Sequence, residues 1–454
     1  MERALVIGLG RSGVACARAL SSEGWGVVVV DHNDDAELRE RVTLLPAGVE
    51  AHLGAYSEDV VDGFDMVCPS PGVRWYAPEL RRARLHGIPV RSEMDLVFIR
   101  CPAPIVGITG TNGKTTTTTL TGAVIAAGGA RVHVGGNIGE PMLDRLHDVR
   151  PDDWVVLELS SFQIESVEDP RCRLAAVLNV TPDHINRHGT FEAYTAAKLR
   201  IVERADPDGA VVLGADDAVT RSMADVASAP VLLAGFDLGA SDGTTVRDGE
   251  VVVVDSGTMT PVLPVRDIPL FGEHNVQNVL AAVALGHAAG VAHSAIAAAV
   301  RAFTAVPHRL QPVLDTGGVL WVNDSKATNV DAAVKALRAF PDRAIIWIGG
   351  GETKGVGPEE LAREVSLHAR HAVLNGATAA EVDAALANLG YNSRTVVRSL
   401  AEAVRVAHDI ARPGDVVLLS PGYTSFDQFS GYEERGRVFA ELAREVCGAT
   451  RGSA

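Results

Sequence analysis

The sequence predicts an α/β protein of three domains, with parallel β-sheets covered by helices. Short apolar runs of strand length recur ahead of segments with helical periodicity, an alternation typical of parallel sheets with crossover helices. The chain of 454 residues is also too long for a single domain, because a domain usually has about 150 residues. The predicted strands cover residues 4–8, 26–31, 105–109, 154–159, 175–180, 344–348, 371–374 and 415–420.

Two proline-bearing stretches, residues 100–104 and 305–308, divide the chain. We therefore expect domains at 1–101, 102–305 and 306–454. Within the middle domain, Asp248-Gly249 followed by a run of valines predicts an inserted β-hairpin. The apolar residues 280–300 are interrupted by glycine and histidine, so we expect two packed helices there and no membrane span.

Composition and charge limit the function classes. Hydrophobic residues make up 47% and charged residues 22%, which predicts a chain folded throughout. The net charge of −16, without any basic run, argues against nucleic acid and anionic membranes as partners. Five scattered cysteines, without disulfide or zinc spacing, indicate a reducing compartment. With no export signal at the N-terminus, we expect a cytoplasmic protein.

The first glycine-rich motif, Gly8-Leu9-Gly10-Arg11-Ser12-Gly13, follows a predicted strand and opens a helix. Asp31 ends the next strand about 20 residues further on, as in dinucleotide-binding folds. Such glycines allow the backbone to approach a phosphate at a helix N-terminus. The motif favours nucleotide or nucleotide-sugar binding over a purely structural turn. Taken alone, it also fits a nicotinamide-dependent dehydrogenase.

A second motif, Gly110-Thr111-Asn112-Gly113-Lys114-Thr115-Thr116, points to a different chemistry. It lies between a strand and a helix, where backbone N–H groups surround phosphates and a lysine reaches the outer ones. The hydroxyl of Thr115 or Thr116 is a candidate Mg²⁺ ligand. Ile108 occupies the first glycine position of the strict phosphate-loop pattern, yet Gly-Lys-Thr in this context predicts ATP binding.

Three further side chains are candidates for the same site. Glu158 closes an apolar strand and places a carboxylate at the carboxyl edge of the sheet, where it is a candidate Mg²⁺ ligand. Beside the next strand, His184 taken singly fits an ordinary loop histidine. Composition alone likewise describes Lys198 as a surface helix lysine.

Taken together, the motifs resemble those of the Mur ligase family over essentially the whole chain. Their carriers are the two glycine-rich motifs, Ser70-Pro71-Gly72, Gly136-Asn137-Ile138-Gly139, Gly272-Glu273-His274-Asn275, Pro307-His308-Arg309, Gly349-Gly350-Gly351 with Lys354-Gly355, and the segments 157–163, 179–184, 196–200, 323–329 and 425–429. The resemblance implies Rossmann-like first and third domains around a P-loop-type central ATPase domain.

The resemblance also implies roles for individual residues. The UDP part of a substrate would be bound by Ser12, Asp31, Gly72 and Asn137. ATP would be bound by residues 110–116, Asn275, Asn278, Arg309 and Asp324. Metal ligands would be Thr115, Glu158, His184 and a carbamylated Lys198, the last three acting with Lys114 as the catalytic group. The amino acid would be held by Lys326, Thr328, Lys354, Ser425 and Tyr432.

The implied activity is an ATP- and Mg²⁺-dependent ligation of D-glutamate to UDP-N-acetylmuramoyl-L-alanine by a monomer, through an acyl phosphate. Residues 420–425 and Tyr432 depart from the family pattern at the amino-acid site, so an L-glutamate-specific variant is an alternative. Another Mur step and a folylpolyglutamate synthetase are further alternatives, although the latter lacks a uridine domain. An NAD-dependent oxidoreductase and a nucleotide-gated scaffold are rivals from other classes.

Overall fold

The computed structural model describes residues 1–353 and 355–449 and contains three sheets, each with helices on its faces. The predicted α/β class with parallel sheets is confirmed. The chain separates into two compact units, one of residues 1–267 with 277–302 and the other of residues 268–276 with the chain from Phe303 onward. The three predicted domain boundaries stay a prediction.

The first sheet is parallel throughout, with strand order β3-β2-β1-β4. Its strands are β1 Arg3–Ile7, β2 Gly26–Asp31, β3 Glu50–Leu53 and β4 Met66–Pro69, and its helices are α1 Arg11–Ser22, α2 Ala36–Val42, α3 Pro78–Leu85 and α4 Glu93–Arg100. β1 and β2 are continuous apolar runs because both faces of the sheet are covered.

The central sheet has nine strands in the order β13-β12-β11-β10-β9-β8-β5-β7-β6. The strands are β5 Ile105–Thr109, β6 Val132–Gly136, β7 Trp154–Glu158, β8 Leu174–Val177, β9 Ala210–Gly214, β10 Val231–Ala234, β11 Gly243–Arg247, β12 Glu250–Asp255 and β13 Thr258–Pro264. The helices are α5 Lys114–Ala127, α6 Ser161–Ser166, α7 Ile185–His188, α8 Phe191–Glu203, α9 Ala218–Ser222, α10 Glu273–Ala288 and α11 His293–Ala302. Because β5 lies between β7 and β8, the loops after these three parallel strands share one edge of the sheet.

Two local predictions need adjustment. The predicted hairpin is present as β11 and β12, but β13 adds a third antiparallel strand, and β11 pairs with β10. The insertion therefore extends the central sheet. The strand predicted to reach residue 180 ends at Val177, because Leu178–Val180 turn to hydrogen-bond with the loop after β5 and with Asp217. The two predicted helices within 280–300 are confirmed as parts of α10 and α11.

The third sheet has the order β14-β15-β19-β16-β17-β18 and is parallel except for the β14–β15 pair. Its strands are β14 Gln311–Thr316, β15 Val319–Asn323, β16 Ile345–Gly349, β17 Ala369–Leu374, β18 Arg394–Val396 and β19 Val416–Leu419, and its helices are α12 Val330–Leu337, α13 Glu359–His368, α14 Ala379–Asn388, α15 Leu400–Ile410 and α16 Tyr432–Ala449. Separate apolar cores cover its two faces. None of the helices in the described ranges is both long and apolar enough to cross a membrane.

Candidate active site

The predicted phosphate-binding loop connects β5 to α5 and contains two positions that need glycine. Gly113 caps α5 with φ +83°, and Gly110 has φ +155°. A Cβ atom at Gly113 would lie 2.2 Å from the Asn278 side chain. Glycine therefore meets both a backbone and a space requirement here. Lys114 begins α5, and its Nζ donates to the carbonyl oxygens of Gly110 and Thr111 at 2.8 Å.

Asn179, to which the sequence alone assigned no role, supports this loop from the segment after β8. Its Oδ1 accepts from the N–H of Asn112 at 2.8 Å, and its Nδ2 donates to the Asn112 carbonyl at 3.1 Å. The Asn179 carbonyl also accepts from the N–H of Thr111. On the other side, the predicted nucleotide contact Asn278 accepts from the hydroxyl of Thr117 at 3.4 Å. Asn179 therefore holds the loop in shape, and Asn278 hydrogen-bonds with the helix that follows the loop.

Glu158 ends β7 as predicted, and it is 2% exposed. Its Oε1 accepts from the Asn137 side-chain amide at 2.9 Å. Among the described residues, its buried Oε2 has no hydrogen-bond partner. Burying a carboxylate oxygen without a partner is costly. The carboxylate is thus oriented by Asn137 and has one oxygen available to a cation.

Lys198, on α8, is only 1% exposed, so the interpretation of it as a surface lysine is wrong. Composition could not show that α8 turns this side chain towards the sheet edge. Its Nζ donates to Thr109 Oγ1 at 3.1 Å and to the Gly110 carbonyl at 3.0 Å, and lies 4.7 Å from the ring centre of Tyr194. The Gly110 carbonyl also binds Lys114, so two lysines meet at one acceptor.

The surroundings of Lys198 favour its neutral form. Burial and then the nearby charge of Lys114 lower the pKa of Lys198 well below its usual value, while the carboxylates of Asp183 and Glu158 oppose this shift. Charges from three other segments therefore act on a single amine. The structure brings Lys114, Glu158 and Lys198 to the carboxyl edge of the central sheet.

His184 lies just before α7 in a left-handed conformation, with φ +52°. Its ring packs edge-on against Phe162 at 5.0 Å, and its Nε2 lies 3.6 Å from the Asp183 carboxylate. No group of three or more His, Cys, Asp or Glu side chains in the described ranges has a metal-binding arrangement. The predicted metal set differs from such a group, because it includes a threonine hydroxyl and a modified lysine. It stays a prediction.

A cleft of about 900 Å³ lies at the carboxyl edge of the first sheet. The predicted contacts Ser12, Asp31 and Gly72 line it, together with the stacked rings of His32 and Tyr56. Asp31 also fixes the backbone beside it in the cleft wall, because its two carboxylate oxygens accept from the N–H groups of Leu9 (2.8 Å) and Asn33 (3.0 Å). The fourth predicted contact, Asn137, lies beside Glu158.

The second unit brings together part of the predicted amino-acid site. Lys326 Nζ lies 5.0 Å from the ring centre of Tyr432, and the Thr328 N–H donates to the Lys326 carbonyl at 2.8 Å. Ser425 is buried in the turn before α16, and its backbone carbonyl accepts from the N–H groups of Gln428 and Phe429. Lys354 lies outside the described residues.

Arg435 is a buried residue of α16 that the sequence did not single out. Its guanidinium donates to the Ser325 hydroxyl and carbonyl and to the carbonyls of Tyr423 and Thr424, at 2.8–3.1 Å. Burial lowers its pKa to about 10. Arg435 thus ties the segments before Lys326 and Ser425 together. No signal in the sequence marks it out, because it is one of three arginines in α16.

The remaining predicted ATP contacts, Asn275, Arg309 and Asp324, belong to the second unit. Asp324 accepts from Ser420 Oγ at 2.8 Å and from the Leu310 N–H at 3.1 Å. Burial raises the pKa of Asp324 to about 7. Asn275 donates from Nδ2 to the Phe271 carbonyl at 2.7 Å. Their assignment to ATP stays a prediction.

The fold and the loop after β5 define a nucleotide-dependent enzyme with a P-loop-type central domain. Three family models match the chain in order: "Mur ligase MurD-like, N-terminal domain" at residues 2–92, "Mur ligase middle domain" at 108–286, and "Mur ligase, glutamate ligase domain" at 308–422. The chain belongs to the Mur ligase family. The predicted family and enzyme class, an ATP-dependent ligase, are confirmed.

Relatives extend over nearly the full length. A Koribacter versatilis protein named UDP-N-acetylmuramoylalanine--D-glutamate ligase is 42% identical and covers 98% of both chains. A Pelotomaculum thermopropionicum protein of the same name is 40% identical and covers 97% of both. Among solved structures, UDP-N-acetylmuramate-alanine ligase from Thermotoga maritima matches with a TM-score of 0.62 and 20% identity, covering 98% of this chain and all of the other. This last likeness supports the fold alone.

Proposed function

We propose that this protein joins D-glutamate to UDP-N-acetylmuramoyl-L-alanine with ATP, in the cytoplasmic synthesis of a peptidoglycan precursor. The observation that carries the proposal is the edge of the central sheet, where three groups meet. They are a lysine-bearing phosphate loop, the buried Glu158 carboxylate, whose Oε2 has no hydrogen-bond partner among the described residues, and buried Lys198, whose pKa is lowered. Full-length relatives at about 40% identity that carry this activity in their names support the choice of substrates.

The reaction needs an activated acyl group, because a carboxylate oxygen is a poor leaving group. The substrate carboxylate attacks the γ-phosphorus of ATP, the bond to ADP breaks, and an acyl phosphate forms. The amine of glutamate then attacks the acyl carbon, phosphate leaves, and the nitrogen loses a proton. Backbone N–H groups at the start of α5 and the Lys114 ammonium spread the charge of the phosphates. No protein nucleophile is needed.

Mg²⁺ fits the side chains present. Glu158 has one buried oxygen without a hydrogen-bond partner in the part of the chain that the structure describes, and Thr115 follows Lys114 at the start of α5. We assign these two residues, with His184 and Lys198, to metal binding. When bound, Mg²⁺ supplies charge neutralisation for the phosphates. Asn137 holds the Glu158 carboxylate in its orientation.

The test of the function is phosphate release with purified protein and UDP-N-acetylmuramoyl-L-alanine. We expect one phosphate for each amide formed with D-glutamate, and slow or no release with L-glutamate or D-aspartate. Faster turnover with L-glutamate would change the assigned amino acid to the alternative left open by the departures at residues 420–425 and Tyr432. Turnover with dihydrofolate and glutamate, or ATP binding without amino-acid-dependent turnover, would contradict the proposal.

Asp31 provides a test of the first-domain cleft. Asp31→Ala removes the acceptor for the N–H groups of Leu9 and Asn33, so the glycine-rich turn loses its support. We expect the KM for the UDP-linked substrate to rise by about tenfold, and the KM for ATP to change by less than about twofold. Initial rates at varied concentrations of each substrate measure both. An unchanged KM for the UDP-linked substrate would remove Asp31 from the UDP site.

A further inference from the structure

Arg187 lies on α7, one of the shortest helices, and connects two parts of the first unit. The segment around it is confined between left-handed positions, His184 with φ +52° and Gly189 with φ +84°. Its guanidinium donates through Nη2 to the carbonyls of Pro71 (3.3 Å) and Val73 (3.1 Å) and through Nη1 to that of Gly72 (3.4 Å). One side chain of the central domain therefore binds three consecutive carbonyls of the first.

The loop that Arg187 contacts is a wall of the first-domain cleft, because Pro71, Gly72 and Val73 all line it. The peptide bonds here are trans, so the C=O and N–H groups of each peptide point in opposite directions. With the carbonyls directed at Arg187, the N–H groups of the same peptides face away from it. Of these, the Val73 N–H donates to the Ser70 carbonyl at 2.9 Å. The N–H groups of Gly72 and Arg74 have no acceptor among the described residues, so this loop suits an anion such as a diphosphate.

The same side chain also packs against the site at the central sheet. The guanidinium carbon of Arg187 lies 4.4 Å from the ring centre of Phe162, at the start of α6. Phe162 contacts the ring of His184 edge-on at 5.0 Å and stacks on His188 at 5.2 Å. His188 Nε2 hydrogen-bonds with Ser161 Oγ at 2.9 Å. Through these contacts, α7 is attached to the helix that follows Glu158.

We propose that Arg187 is a positioning residue that fixes the loop 71–73 for the diphosphate of the UDP-linked substrate and joins it to the segment that carries His184. The inference rests on the proposed function, which assigns the cleft to UDP. Only a guanidinium has several donors in one plane together with a flat face for the Phe162 ring. A lysine would offer a single charged point to three separate carbonyls.

The experiment compares Arg187→Met with Arg200→Met. Arg200, on α8, is a matched control because it also donates to three backbone carbonyls, those of Ile164, Glu165 and Glu168, all within the central domain. We expect Arg187→Met to weaken the binding of UDP, measured by calorimetry, by about tenfold and to raise the KM for the UDP-linked substrate equally, with the KM for ATP nearly unchanged. Arg200→Met should lower Tm without this selective effect.

Arg187→Lys serves as the second variant, should the methionine variant not fold, and its UDP affinity should fall between those of wild type and Arg187→Met. Equal changes in both KM values, or UDP affinities of Arg187→Met or Arg187→Lys that match wild type, would overturn the inference while leaving the ligase assignment intact. Absence of both UDP binding and turnover in the wild-type protein would instead overturn the proposed function, and the inference with it.

Discussion

Replacement of Lys198 by alanine is expected to lower kcat by about two orders of magnitude or more. The Lys198 Nζ is buried and donates to Thr109 and Gly110. Burial and the nearby charge of Lys114 lower its pKa and so favour the neutral amine, the form that adds CO₂. We propose that the product is a carbamate, with release of a proton, and that this anion serves as a metal ligand. Phosphate release measures the loss, and ¹³C NMR with labelled bicarbonate detects the carbamate without turnover.

Two further variants decide what Lys198 does. Lys198→Arg should be as inactive as the alanine variant, because a guanidinium keeps its charge and forms no carbamate. Lys335→Ala is the control, since Lys335 is a helix lysine paired with Asp331 at 2.9 Å, and its rate should change by less than about threefold. Short-chain carboxylic acids should restore part of the activity of Lys198→Ala. Near-wild-type activity of that variant at saturating Mg²⁺ would remove Lys198 from the site.

The second large effect is expected for Lys114→Ala, which should abolish measurable turnover and leave binding of the UDP-linked substrate nearly unchanged. Lys114 is the one cation among residues 110–116. Its Nζ already lies against the loop, where it donates to the carbonyls of Gly110 and Thr111. Loss of this charge removes stabilisation of the transferring phosphoryl group. Calorimetric titrations with each substrate measure the two affinities.

The opposite change in the two affinities of Lys114→Ala would contradict the assigned positions of the two sites. If the variant retained ATP binding and lost the UDP-linked substrate, the assignment of phosphate and uridine sites to different sheets would be wrong. Lys114→Arg is a useful companion, because it keeps the charge but brings a larger planar group into a loop shaped around Gly110 and Gly113. We expect it to bind ATP more weakly than wild type and to turn over slowly.

The sequence was most informative where a local pattern determines local structure. The apolar run before Gly110 and the Gly113-Lys114 pair predicted a strand, a phosphate loop and a helix, and β5 and α5 are present there. The position of Glu158 at the end of β7 followed from the length of an apolar run. In each case, nearby residues supply the hydrogen bonds that fix the element.

The sequence was less informative where long-range packing decides the role of a residue. Asn179 supports the loop at Asn112, which is 67 positions away, and no local pattern records that pair. Lys198 looked like a surface lysine because helix composition does not show which face is covered. Arg187 and Arg435 donate to backbone carbonyls of distant segments. Every residue has a backbone carbonyl, so the sequence does not show which ones an arginine will contact. Such contacts require the fold.

The most direct test of the central claim, activation of a carboxylate by ATP, is isotope transfer. UDP-N-acetylmuramoyl-L-alanine labelled with ¹⁸O in its terminal carboxylate is incubated with ATP, Mg²⁺ and D-glutamate, and the released phosphate is analysed by mass spectrometry. An acyl phosphate intermediate predicts that each phosphate carries a single oxygen from the substrate carboxylate, with one amide formed per label transferred. Unlabelled phosphate, released by attack of water on ATP, would contradict the account.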